Sequence, residues 1–201
     1  MDPFRPTSEQ IAAAFGRKIH EVIGPNLLVL FCGINPGLYS GAAGHHFARP
    51  GNRFWPALHR GGFTDGVWSP FDDAKLLEIG CGVTNIVNRA TGSADQLSTD
   101  ELVAGARRLV RRIRKFRPAW VAFLGLTAYR IAFKRREAKI GPQAERVGDT
   151  RIWVLPNPSG LNAHYQVADF GRMFAELREA LETKRDQRLE IRDLQSVETD
   201  H

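Results

Sequence analysis

A chain of 201 residues with 43% hydrophobic and 9% aromatic content is long enough to bury a full core and close to the usual length of one domain. Its 28 Lys and Arg against 22 Asp and Glu give a net charge of +6, so the surface attracts polyanions on average, which permits nucleic-acid binding without establishing it. Two cysteines cannot supply a four-thiolate iron–sulfur or zinc site, and no stretch reads as a signal peptide or a bilayer-spanning segment, so a reducing, cytoplasmic location is expected.

From Thr7 to about Ile23 the spacing predicts an amphipathic helix, with Ile11, Ala14, Phe15, Ile19 and Val22 on one face, forming an N-terminal helical extension over residues 1–24. The continuous apolar run Leu27–Cys32 then reads as a strand buried on both faces, stopping at Gly33-Ile34-Asn35-Pro36-Gly37. A glycine-rich loop follows, Gly41-Ala42-Ala43-Gly44-His45-His46-Phe47, leading to Gly51-Asn52-Arg53-Phe54-Trp55. Such a loop can wrap closely around a planar ligand on which Phe47 stacks. His45 and His46, with only distant cysteines, read as solvated loop residues, so no metal is expected. Cys81 falls in a Gly-flanked turn.

Farther along, Asp100 to Phe116 predicts a helix, with Leu102, Ala106, Leu109, Ile113 and Phe116 at helical spacing. Its Arg107, Arg108, Arg111, Arg112, Arg114, Lys115 and Arg117 read as a solvated face, with a phosphate-binding strip as the alternative. Trp120–Leu124 and Ile152–Leu155 are short strands, the second ending at Pro156-Asn157-Pro158-Ser159-Gly160. Strands alternating with helices predict an α/β fold around a mainly parallel sheet, occupying residues 25–182. Ligands in such sheets sit beyond the carboxyl ends of the strands, so Asn35 and Asn157 are expected on one rim. Residues 183–201 are densely charged and read as a helix end or a disordered tail.

Asn35 precedes Pro36, which restricts its backbone to the extended region at the strand exit. Its amide can orient a water but is too weak a base to deprotonate one fully. An Asn-Pro turn without chemistry is the plainer reading of that dipeptide by itself. Asp95 is a candidate auxiliary base, or alternatively a cap for the helix beginning near Ser98.

Taken in register, Gly33–Leu38, Gly44–Phe47, Gly51–Trp55, Cys81–Asn85 and Asn157–Leu161 resemble the mismatch-specific uracil-DNA glycosylase and thymine-DNA glycosylase family. The resemblance spans roughly Leu27 to Leu181. It implies a three-layer α/β/α fold of the uracil-DNA glycosylase type, base flipping and no cofactor, in a monomer acting on double-stranded DNA that contains uracil or a mismatched pyrimidine. Carried over position by position, it implies that Asn35 orients the attacking water, that Phe47 stacks on the flipped base and that Asn85 contacts the base edge. Backbone near Ile34 and Phe47 would hold the departing base. Gly160 and Leu161 would form the wedge entering the duplex, with Asn52, Arg53, Ser159 and Asn162 against DNA. His45-His46 matches the thymine-excising branch, whereas Gly160-Leu161 looks bacterial, and Asn162-Ala163-His164 departs from the usual Ser-Arg or Ala-Arg. A non-catalytic DNA-binding protein that senses mismatches is the alternative. Nucleotide-binding and esterase readings fail for want of a Gly-x-Gly-x-x-Gly, a Walker sequence or a Gly-x-Ser-x-Gly elbow.

Overall fold

The computed structural model of the chain describes residues 4–160 and 164–198, with side chains as far as Thr183. Its frame follows from where the apolar runs lie. Strands β1 (Val29–Gly33), β3 (Trp120–Leu124) and β5 (Thr150–Leu155) are buried along nearly their whole length, as strands covered on both faces must be. With β2 (Cys81–Asn85) and β4 (Gly141–Val147) they form one sheet in the order β2-β1-β3-β5-β4. All neighbouring pairs are parallel except β4 with β5.

Because side chains alternate along a strand, each run feeds two cores. Val29, Phe31, Trp120, Ala122, Leu124, Trp153 and Leu155 face helices α3 (Phe54–Arg60) and α6 (Val167–Glu198). Helix α6 presents Phe170, Phe174 and Leu177, spaced four and three apart and fully buried. The approach of the two helices is close: a Cβ on Gly61 would lie 2.5 Å from that of Phe174. Leu30, Cys32, Val121, Phe123, Ile152 and Val154 face the other way, toward α4 (Thr99–Phe116) and α5 (Leu126–Ala132). The result is three layers, with a mainly parallel sheet in the middle.

Helix α4 buries Leu102, Ala106, Leu109 and Ile113 as its spacing predicts. Its N-cap is Ser98, which exchanges hydrogen bonds with Glu101 in a capping box. The capping alternative for Asp95 therefore fails: Asp95 sits exposed in a short 3₁₀ turn, Ala94–Gln96. Of the basic residues on this helix, Arg112 is partly buried. It turns inward to pair with Glu21, which also accepts the Thr84 hydroxyl.

Three expectations need correction. The N-terminal helix α1 covers only Ser8–Ala12, because Gly16 turns the chain at φ 78° and Phe15 is left exposed. Beyond it, extended chain bonds to the sheet: Val22 and Val83 exchange backbone hydrogen bonds of 3.0 and 2.7 Å, burying Ile19 and Val22 without a helix. Cys81 starts strand β2 rather than a turn. Edge strand β4 was not anticipated, since its alternation of half-buried and exposed residues contains few apolar side chains. The backbone of α6 continues to Glu198. Among the described residues no helix is long and apolar enough to cross a membrane. Helix α2 (Leu38–Ala43) completes the set.

Candidate active site

Parallel β1 and β5 leave the sheet at the same edge, so the segments after Gly33 and Leu155 meet there. Between them lies a cavity of about 450 Å³, within the size range of small-molecule sites. Its walls include Ile34, Asn35, Phe47, Asn52, Asn85 and Ser159. Those residues come from four separate stretches of sequence, brought together at the strand exits.

Asn35 is half-buried and its amide orientation is fixed. Nδ2 donates toward the Thr91 hydroxyl at 2.7 Å and toward the carbonyls of Pro36 and Arg89, each at 3.1 Å. Thr91 in turn donates to the Ser93 carbonyl at 2.7 Å, leaving its oxygen lone pairs to Asn35. With every N–H of the amide engaged, Oδ1 is the group left over, and among the described residues no donor reaches it. A lone carbonyl oxygen on a cavity wall is suited to accept a hydrogen bond from a water and hold it in place.

Phe47 adopts φ 53°, in the left-handed region that a bulky residue seldom occupies. The strain is held by packing: its ring stacks on Phe54, centroids 4.2 Å apart and planes 28° from parallel. One face of Phe47 is thereby anchored to the core while the ring borders the cavity. Its backbone N–H has no acceptor among the described residues.

Asn85 ends β2 opposite Gly33 and is buried. His46 sets its orientation. Nε2 of His46 faces the carbonyl of His20 at 2.7 Å, and a carbonyl can only accept, so that nitrogen carries the proton. Nδ1 is then an acceptor, and the Asn85 amide nitrogen lies 3.5 Å from it. Burial pulls the His46 pKa from 6.5 down to about 4, against the opposing pull of the His20 carbonyl and Asp73, so the ring stays neutral. The expectation that His46 is solvated is thus wrong; it is 1% exposed. The amide oxygen of Asn85 points toward Gly33, where an added Cβ would meet it at 2.5 Å and the Phe47 ring at 3.3 Å. Glycine at 33 keeps that corner open.

At the mouth, the N–H of Arg53 donates to the Pro158 carbonyl at 2.9 Å and its Nη1 to the Ser159 carbonyl at 3.1 Å. Asn52 Oδ1 accepts from the Phe54 N–H at 2.9 Å. A Cβ on Gly160 would lie 2.8 Å from the carbonyl of Gly51. The two loops expected against DNA are therefore laced to each other. Leu161 and Asn162 lie outside the described residues. Asp95 is not on the cavity wall, although its neighbours Thr91, Gly92, Ser93 and Ala94 are. Thr91, Arg49 and Ser40 also line the cavity and were not singled out from sequence; Thr91 and Ser40 carry no motif, and Arg49 hides in the tail of the glycine-rich loop. The thiols of Cys32 and Cys81 are buried, and burial alone pushes Cys81 up to about 12, so neither is poised as a nucleophile.

A cavity at the carboxyl ends of a mainly parallel sheet, with an Asn amide on its wall, is where an α/β protein of this layout binds a ligand. Residues 20–182 match the family model of the uracil DNA glycosylase superfamily. The chain belongs to that superfamily, whose members are glycosylases acting on uracil-containing DNA. Its fold is similar to the solution NMR structure of a protein from Methanosarcina acetivorans, provisionally described as a uracil DNA glycosylase. The match has a TM-score of 0.52 and 18% identity, covering 82% of this chain and 99% of that one.

Proposed function

We propose that the protein is a monofunctional, mismatch-directed uracil-DNA glycosylase. It rotates a uracil out of duplex DNA, preferably opposite guanine, and hydrolyses its N-glycosidic bond. The observation that carries the reading is the immobilised Asn35 amide, with Oδ1 facing a cavity bordered by the Phe47 ring and the Asn85 amide.

The chemistry follows from those groups. Breaking the bond develops positive charge on the sugar and negative charge on the departing base. Asn35 holds the incoming water by its acceptor oxygen but cannot take its proton fully, so the reaction relies on uracil leaving as a stable anion. Asn85 offers an amide edge to the pyrimidine, and the Phe47 N–H offers a donor to the anion as charge builds. The flat ring of Phe47 supports the base by stacking. A cofactor is not required for these steps. Asp95 stays outside the scheme, its carboxylate exposed and off the cavity wall.

Incubating the pure protein with duplexes carrying uracil opposite guanine, uracil opposite adenine, and thymine opposite guanine tests the reading. Alkali-labile abasic sites should form fastest at uracil opposite guanine. Binding to these duplexes without abasic-site formation would instead make the protein a lesion sensor.

A further inference from the structure

On the far side of His46 from the cavity's Asn85 lies a second cluster of side chains that the proposed reaction does not use. Asp73 belongs to the 3₁₀ run Pro70–Ile79 and is 1% exposed. No Lys or Arg pairs with its carboxylate among the described residues. Its neighbours are instead two imidazoles and an amide: His20 Nε2 at 3.1 Å from Oδ1, His45 Nδ1 at 3.2 Å from Oδ2, and the His46 N–H at 3.4 Å from Oδ2. A buried carboxylate without a full positive charge beside it is costly, and coordination to a metal ion is one of the ways proteins compensate it.

We propose that His20, His45 and Asp73 form a binding site for a divalent transition-metal ion of the zinc class. Their ligand atoms lie within 4.8 Å of one another, and this is the one such group of three His, Cys, Asp or Glu side chains among the described residues. His20 Nε2 lies 3.1 Å from Oδ1, close to the roughly 3.3 Å edge of a tetrahedron with metal–ligand bonds of about 2.0–2.1 Å, while His45 Nδ1 lies 3.2 Å from the other carboxylate oxygen, Oδ2. His45 Nδ1 supplies an independent pointer. It is shut off from solvent, and despite its proximity to Asp73 it has no hydrogen bond of acceptable geometry. A nitrogen aimed beside the carboxylate rather than at it is what a shared ion between them requires. The rings of His20 and His45 cross at 84°, so their nitrogens approach from different directions. The His20 side chain is 47% exposed, which gives an ion a way in and leaves a coordination position for water. Two imidazoles and one carboxylate suit zinc and its first-row neighbours better than calcium or magnesium.

The ligands come from three segments: the extended N-terminal chain, the glycine-rich loop and the 3₁₀ run. An ion there would clamp them together. It would also grip His20 and His45, the residues that respectively hold and precede the His46 ring behind Asn85.

The test is calorimetric titration of Zn²⁺ into chelator-treated, full-length protein, with thermal unfolding in parallel. One equivalent should bind, and zinc at about a hundredfold excess over Kd should raise Tm by about 5–10 °C. His20→Ala alters an exposed side chain and should fold normally while losing both effects; His45→Ala should do the same. Absence of stoichiometric uptake by the wild type, or uptake unchanged in His20→Ala, would overturn the site. Because the readout is binding and not excision, it stands or falls separately from the glycosylase reading.

Discussion

Thr91 Oγ1 lies 2.7 Å from Asn35 Nδ2, joining a loop that follows β2 to the residue that leaves β1. The hydroxyl spends its own proton on the Ser93 carbonyl, so it faces Asn35 purely as an acceptor and dictates which end of that amide meets the cavity. Thr91→Val keeps the shape and removes the acceptor. Single-turnover excision should fall about tenfold, consistent with losing one hydrogen bond of about 1.4 kcal/mol, while KM stays near wild type. Thr91→Ser should restore the rate, which a merely structural defect would not allow.

The same geometry predicts that a stronger base at position 35 is no improvement. In Asn35→Asp, a carboxylate oxygen would replace Nδ2 opposite the carbonyls of Pro36 and Arg89, converting two attractions into repulsions, and the Thr91 hydroxyl could donate to it only by giving up its bond to the Ser93 carbonyl. The variant should excise uracil no faster than wild type between pH 6 and 8; a clear acceleration would mean that the amide is not held as described.

Gly33→Ala probes the floor of the cavity. The new methyl would sit 2.5 Å from the Asn85 amide oxygen and 3.3 Å from the Phe47 ring, forcing one or both to move. Excision of uracil should drop more than tenfold, with circular dichroism unchanged, because the methyl crowds the cavity corner rather than a helix contact.

His46 makes stability depend on pH. Its folded pKa is about 4 against 6.5 for the free ring, so the unfolded chain binds an extra proton between those values. Stability is thus complete above pH 6.5 and is lost as pH falls toward 4, by about 3 kcal/mol in all. Denaturant unfolding from pH 7.5 to 5 should show about 2 kcal/mol of this loss, and His46→Gln should remove close to one proton from the slope, whatever it does to stability at neutral pH.

Salt dependence separates two basic regions. Arg49 is exposed on the cavity wall, whereas Arg111 is exposed on α4. In binding to uracil-containing duplex, Arg49→Ala should lower the slope of log K against log salt by about 1, the loss of one phosphate contact. Arg111→Ala should leave the slope alone; the opposite pattern would move the DNA track onto α4.

What the sequence made legible was the part governed by unbroken apolar runs. β1, β3 and β5 announce themselves because each is buried on two faces, and their common direction places Asn35 and Ser159 on one rim. Helix α4 was readable from its cap and spacing. Less legible were elements stabilised by partners distant in sequence. Residues Arg17–Ile23 carry helical spacing but are recruited by Val83 and Ala90 as extended chain. Strand β4 depends on a neighbour, β5, and on the two-residue turn Gly148-Asp149, a hairpin signal that its polar flanks obscured. His46 and Arg112 look like surface residues until the His20 carbonyl and Glu21 are brought beside them. Thr91 could not have been found from sequence, since only the fold brings it within reach of Asn35.

The most direct test is single-turnover excision of uracil opposite guanine by wild type and Asn35→Ala, at enzyme concentrations saturating for DNA. The account predicts abasic-site formation by the wild type and a rate roughly 10²- to 10⁴-fold lower in the variant, with duplex affinity retained. Equal rates for the two proteins would contradict it, as would uracil left intact by the wild type.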